Sequence, residues 1–241
     1  MSGVFEDPDP QSLPTCKPFV GRPFVVRVDE SAVSSPTFAA DIVFMRRIGV
    51  RPVLIHDVGA REPAQWLIGS INRVGGAAVG LDGLAASTLT ASAGESGAVE
   101  LRGVNAALLH LLLEQGYIPV IASQGSAISG APLTVDVDEA ARALAGAIGA
   151  IRLLFGSQPG GIPSDDSGVI EELTSSEALA LVASGGLSSD LATRLSAAAL
   201  GVRAGVDAAQ ILDLSTAHAA IVELLTAQHL GTQIISNILV G

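Results

Sequence analysis

Apolar residues fall in two alternating rhythms along this chain. Short, nearly continuous apolar runs cover 24–28, 52–56, 77–81, 118–123, 151–155, 209–214 and 232–235, and their length predicts buried strands. Between them the apolar positions take helical spacing. Phe38, Ile42, Met45 and Ile48 predict a helix that starts at Ser35-Pro36, with the proline in its first turn, and stops at Gly49. Further helices are predicted over 62–74, closed by Gly75-Gly76, and over 104–115, with Asn105 near its start and Gly116 at its end. Those over 174–183, 188–204 and 216–228 complete the set. Segments 88–91 and 98–102 predict a hairpin through Gly94-Glu95-Ser96-Gly97. The recurring strand–helix–strand order predicts an α/β fold with a mostly parallel central sheet.

The stretch 134–155 organises the rest. Asp136 is a good N-cap, and Glu139 three residues later completes a capping-box-like pattern. Leu144, Ile148 and the alanines make an apolar stripe, Gly149 ends the helix, and a buried strand follows. Residues 157–168 are rich in Gly, Pro, Ser and Asp and predict a boundary between two lobes of one domain, 19–156 and 157–241. Residues 1–18 hold four prolines and several acids without periodicity and predict a mobile arm.

Composition narrows the function. At 241 residues and 49% apolar, the chain can bury a sizeable core, and with only 3% aromatic residues that core must be close-packed from Ala, Gly, Leu and Val. A net charge of −11 makes nucleic acid and anionic membrane poor partners. The single Cys16 excludes an internal disulfide framework. No apolar run reaches the about 18 residues of a membrane span, and no basic-then-apolar signal pattern opens the chain, so a soluble cytoplasmic protein is expected. Lys17 is the only lysine among 13 basic residues, and it precedes the first predicted strand.

The histidines His56, His110, His218 and His229 have no metal-ligand spacing, and no metal site is expected. Pro159-Gly160-Gly161 lacks the Lys-Ser/Thr of a phosphate loop and reads as a turn. On local evidence Asp136, Asp138 and Glu139 are helix N-terminal acids. A residual catalytic role for Asp138, or a cation site shared with Asp29 or Asp190, stays open beside that reading.

Segment 134–155 resembles the Asn-x-Asn-Ala-Asp helix of the amino-acid kinase family, of its acetylglutamate kinases in particular. Thr134 and Asp136 stand where the family has asparagines, and Asp138 stands on its catalytic aspartate. The resemblance runs in order over 24–235. It includes Phe38-Ala39-Ala40-Asp41, Gly49-Val50-Arg51-Pro52-Val53-Leu54-Ile55-His56, Val79-Gly80-Leu81, Pro119-Val120-Ile121-Ala122-Ser123, Asp213, His218 and Gly231-Thr232. It implies a three-layer α/β/α sandwich of the amino-acid kinase type. It also implies transfer of the γ-phosphoryl group of Mg-ATP to the carboxylate of N-acetylglutamate or a related acidic metabolite. If that activity remains, the resemblance assigns Asp138 and Arg27 to catalysis, Gly59, Ser157 and Gly161 to the nucleotide, and Gly80 and Asp136 to the substrate. It further implies a dimer through first-lobe helices, and Leu108, Leu109, Leu111, Leu112 and Leu113 make a face wider than one core stripe needs.

The departures from the family pattern fall on its chemistry. Lys-x-Gly-Gly reads Arg27-Val28-Asp29-Glu30, and the glycine loop reads His56-Asp57-Val58-Gly59. The family's second phosphate lysine falls at Asp190, and its Thr-Asp reads Ser157-Gln158. Only 23 residues separate His56 from Gly80, too few for the family's substrate-covering hairpin. For the arginine that holds the substrate carboxylate, Arg61 and Arg73 are candidates by proximity. Asp29, Glu30, Asp57, Asp138 and Asp190 are expected to converge where the family holds polyphosphate, and like charges there oppose ATP. The expected role is therefore a non-catalytic binding or regulatory subunit. It would be a homo-oligomer or a partner of a catalytic paralogue, with a small acidic ligand as a further candidate.

Overall fold

The computed structural model describes residues 18–94, 98–164, 168–226 and 230–237. In chain order the elements are β1 (Pro23–Val28), α1 (Glu30–Ser34), α2 (Phe38–Arg47), β2 (Arg51–His56), α3 (Arg61–Arg73), β3 (Ala78–Leu81), β4 (Leu89–Ala93) and β5 (Val99–Val104). There follow α4 (Ala106–Glu114), β6 (Ile118–Ala122), β7 (Gln124–Ser126), β8 (Pro132–Thr134), α5 (Val137–Ile148) and β9 (Arg152–Gly156). The last are β10 (Glu172–Thr174), α6 (Ser175–Ser184), α7 (Ser189–Arg203), β11 (Ala208–Leu212), α8 (Ala219–Leu225) and β12 (Thr232–Ile235).

Eight strands form one sheet in the order β10-β12-β11-β9-β1-β2-β6-β3, parallel except for β11 against β12. The sheet runs unbroken across the predicted lobe boundary, since Gly156 pairs with Leu212 in register. Strand side chains alternate, so each strand feeds two cores. Val25, Val53, Phe155 and Ile211 pack with α4, α5, α6 and α7 on one face. Val26, Leu54, Leu154 and Leu212 pack with α1, α2, α3 and α8 on the other. This is the expected three-layer α/β/α sandwich. A four-stranded sheet, β5-β4-β7-β8, lies on the α5 side.

Helix α5 forms as its sequence dictates. Asp136 accepts from the Glu139 N–H at 2.8 Å, and Gly149 closes the helix in the left-handed region at φ 64°. Ala140, Ala141 and Ala145 let it settle closely on β1, β2 and β9. The capping box is only half made, because the Glu139 side chain pairs with Arg142 instead. A complete box forms at Thr174 and Glu177.

Several elements were not expected. The short α1 exists because the Asp29 side chain caps it, accepting from Ala32 N–H at 3.2 Å. The hairpin of β7 and β8 has no apolar alternation to betray it, and β10 pairs only three residues with β12. Helix α2 begins at Phe38 rather than Ser35, with Thr37 at the N-cap. Helix α8 begins at Ala219 rather than Thr216, because His218 is left-handed (φ 58°) and its N–H is taken by Thr37 Oγ1 at 3.0 Å. Residues 1–17 of the predicted arm, the hairpin tip at 95–97 and the far end of the predicted 216–228 helix lie outside the described residues.

Two glycines of one helix should respond oppositely to a methyl group. A Cβ meets nothing within 4 Å at either Gly149 or Gly146, so conformation alone decides. Gly149→Ala forces a left-handed alanine and is expected to cost about 1 kcal/mol. Gly146→Ala, on an exposed interior turn, is expected to gain about 0.5–1 kcal/mol. Urea denaturation of both variants checks this, and shifts of the same sign would contradict the assigned helix end.

Candidate functional site

Four elements deliver polar groups to one place on the α5 side of the sheet. Arg27 lies near the end of β1, Asp138 in the first turn of α5, Ser157 just past β9 and Arg194 in the second turn of α7. Arg27 Nε lies 2.9 Å from Asp138 Oδ1, and Arg194 Nε lies 3.5 Å from Oδ2. Arg194 Nη1 donates to Ser157 Oγ at 2.7 Å, and Arg27 Nη1 donates to the Gly156 carbonyl at 3.3 Å. Asp138 is 4% exposed. The two Nε contacts are ion pairs by distance whose N–H groups are poorly aimed at the carboxylate oxygens. Burial holds the Asp138 carboxyl above its ordinary value, against the pull of Arg27 and then Arg194, with Asp136 adding to the rise. Burial likewise lowers the Arg194 guanidinium, with Asp138 opposing.

A cleft of about 340 Å³ opens over this cluster, lined by Arg27, Asp29, Glu30, Ser157, Asp190 and Arg194 among others. Asp29 is committed to local structure, since its Oδ1 accepts from Ser31 Oγ at 2.6 Å as well as from the α1 backbone. A Cβ on Gly156 would stand 2.7 Å from that oxygen, so only glycine admits the Asp29 carboxylate there. Glu30 and Asp190 are exposed at the mouth. The cleft thus has a floor of two guanidinium groups sharing one carboxylate, and a rim of three more carboxylates.

The structure brings Arg27, Asp138 and Ser157 together, with Asp29, Glu30 and Asp190 at the same cleft, and places Asp57, Gly59, Gly161, Asp136 and Gly80 elsewhere. Asp57 turns back on its own loop, accepting from Gly59 N–H at 2.7 Å, and neither residue lines the cleft. Gly161 donates to the Pro159 carbonyl and packs near Thr232 and Val169. Asp136 borders a separate hollow of about 330 Å³ with Ala192 and Ser196. Gly80 lines another cavity, with His56. Arg73 is exposed in the last turn of α3, and the Arg61 side chain lies outside the description. Sequence reasoning missed Arg194. Its signal was present: Arg194 stands four residues after Asp190, on the same helix face. A count of lysines alone hid it.

Two features of the residues present bear on Mg-ATP. A polyphosphate needs free cations and close backbone approach. Here both guanidinium groups are drawn to Asp138, and acidic side chains replace the paired glycines after β1. Among the described residues no group of three or more His, Cys, Asp or Glu is placed to hold a metal ion. No helix among them is long and apolar enough to cross a membrane.

A sequence model described as the amino acid kinase family matches residues 36–213. The chain is 27% identical to the acetylglutamate kinase of Thermosynechococcus vestitus, over 94% of this chain and 92% of that protein. It is 29% identical to that of Acaryochloris marina, over 93% and 95%. It superposes on the N-acetylglutamate synthase of Neisseria gonorrhoeae complexed with coenzyme A and N-acetylglutamate, with a TM-score of 0.78 at 21% identity, and spans 64% of that longer chain. It also superposes on the carbamate kinase of Giardia lamblia bound to AMP-PNP, with a TM-score of 0.66 at 15% identity, over 90% and 99%. At these identities the two structures share the fold alone.

Burial opposes the charge on Asp138, and removing its carboxylate alone leaves two largely buried cations without their shared partner. Asp138→Leu is expected to lower the unfolding free energy by about 3 kcal/mol. Adding Arg27→Met and Arg194→Met should restore most of that loss. Denaturant unfolding at pH 7 measures both, and additive losses in the triple variant would contradict the shared-charge arrangement.

Proposed function

The chain belongs to the amino acid kinase family, and from that premise we propose that it is an acetylglutamate-kinase-like protein that has lost phosphoryl transfer and serves as a non-catalytic binding or regulatory subunit. The observation that carries this reading is the engagement of Asp138 by both Arg27 and Arg194. A phosphoryl-transfer site works by positioning and by positive charge directed at the moving group. In this cleft two guanidinium groups face four carboxylates, and the positive charge is directed at Asp138. Arginine is also a fixed fork and no equivalent of the lysine point charge.

A second reading has one observation in its favour. Arg27, Asp138, Ser157 and Arg194 still meet in a single cleft, and Arg194 supplies a cation one turn beyond the position of the absent lysine. Under that reading the protein is an active amino-acid kinase, phosphorylating the carboxylate of N-acetylglutamate or a related acidic metabolite with ATP. A coupled ADP-release assay separates the two. No turnover is expected with N-acetylglutamate. Turnover that disappears in Asp138→Ala would establish the second reading and end the first.

For the regulatory role we propose a homodimer, or a hetero-oligomer with a catalytic paralogue, joined near α4. Leu109 and Leu113 are spent in the core, whereas Leu111 is 55% exposed. Trp66 and Tyr117 also present large apolar surface at 50% and 44% exposure. The test residue is therefore Leu111 and not Leu109, whose change to Glu would break the core. Light scattering at micromolar concentration is expected to show an assembly that Leu111→Glu weakens at least about tenfold, within reach of one central interface residue. A monomeric parent would reject the interface.

A further inference from the structure

The cavity that contains Gly80 lies on the other side of the sheet from Asp138. It occupies about 350 Å³ beyond the carboxyl ends of β2, β6 and β3, where open α/β sheets commonly take ligands. Strand alternation fixes its side. His56 follows Leu54 by two residues and Ala122 follows Val120 by two, and Leu54 and Val120 pack with Leu67 and Ile71 of α3. Ala140 and Leu144 of α5 belong to the opposite core. His56, Val120 and the α3 residues therefore place this cavity mainly on the face opposite the Arg27 cleft, with Leu81 at its edge packing toward the α5 side.

Its chemistry differs from that of the cleft. His56 is 8% exposed, and its Nδ1 lies 2.7 Å from the Asp57 carbonyl. A carbonyl only accepts, so Nδ1 carries the proton and Nε2 keeps a lone pair. Burial lowers the His56 pKa and keeps the ring neutral at pH 7. At the rim, Asp82 Oδ1 accepts from Leu84 N–H at 3.1 Å and Ala85 N–H at 2.9 Å, which holds the carboxylate in place. Ile68, Leu81 and Val120 supply apolar wall. A Cβ on Gly80 would stand 2.9 Å from Ile68 Cδ1, so the bare backbone lets that side chain lie across the strand. No cationic side chain lines the cavity among the described residues.

Among the described residues, an anion entering here meets a carboxylate and a lone pair. A cationic donor meets two acceptors, with apolar walls for its body. We propose that this cavity binds a small apolar molecule bearing a primary ammonium group, held by His56 Nε2 and the Asp82 carboxylate. The site is independent of the reading given to the Arg27 cleft.

Titration of the ¹⁵N-labelled full chain with benzylammonium tests it, with benzoate as the size-matched anion. Saturable shifts are expected at the Gln65, Gly80 and Asp82 amides and at His56 Nε2, with none from benzoate. Asp82→Asn, which keeps the Oδ1 turn, should weaken binding at least about tenfold, as loss of a charged hydrogen bond does. His56→Phe should do the same. Since that change is buried, Gln65→Trp on the exposed rim provides a second block that spares the core. Glu30→Gln, exposed at the mouth of the Arg27 cleft, should leave the affinity within about twofold, as expected for a site with no shared partners. Equal binding of benzoate, shifts centred on Glu30 and Asp190, indifference to Gln65→Trp, or no saturation would each overturn the proposal.

Discussion

Asp138 lies at 4% exposure between Arg27 and Arg194, and the electrostatics of the surrounding rim follow from what these three groups do to one another. A lone carboxylate at that depth costs several kcal/mol of lost hydration, and one guanidinium offsets much of it. The second guanidinium leaves the floor with excess positive charge. Ser157 accepts one of its N–H groups, and Asp29, Glu30 and Asp190 at the mouth complement the remainder. Where the family pattern carries glycines and lysines, this chain carries two arginines among four carboxylates.

The parallel sheet positions everything else. Arg27 and His56 sit near the carboxyl ends of paired strands, one residue apart in register, since Arg27 pairs with Ile55 and Val28 with His56. That one-residue difference sends their side chains to opposite faces. Arg27 meets α5 and α7, and His56 meets the cavity under α3. A single rim thus presents two hollows of similar size and different chemistry, one lined by fixed charges of both signs, the other apolar with two acceptors.

The parts legible in the sequence were those with local causes. Asp136 and Gly149 bound α5 because an N-cap and a left-handed exit are chemistry of single residues. The long strands and helices followed from apolar period. What escaped depended on distant partners. The start of α8 is set by Thr37, 181 positions away in sequence from His218, and no local signal marks it. β7 and β8 are three-residue strands, too short to show an apolar period, and they are recognised by their pairing. At the site, Arg27, Asp138 and Ser157 were legible from resemblance and do converge. Arg194 was not, because its role is fixed by the packing of α7 over β9. Asp57 was expected among the converging acids, and a two-residue loop bond to Gly59 keeps it out.

The central proposal is that the Arg27 cleft does not accept a polyphosphate, on the ground that its cations are engaged by Asp138 and its rim is acidic. Isothermal titration calorimetry of Mg-ATP into the unmodified full chain, at physiological ionic strength, tests this most directly. The account predicts no saturable heat at micromolar nucleotide. Micromolar binding, about −8 kcal/mol, would contradict it, by showing that the guanidinium groups leave Asp138 for phosphate.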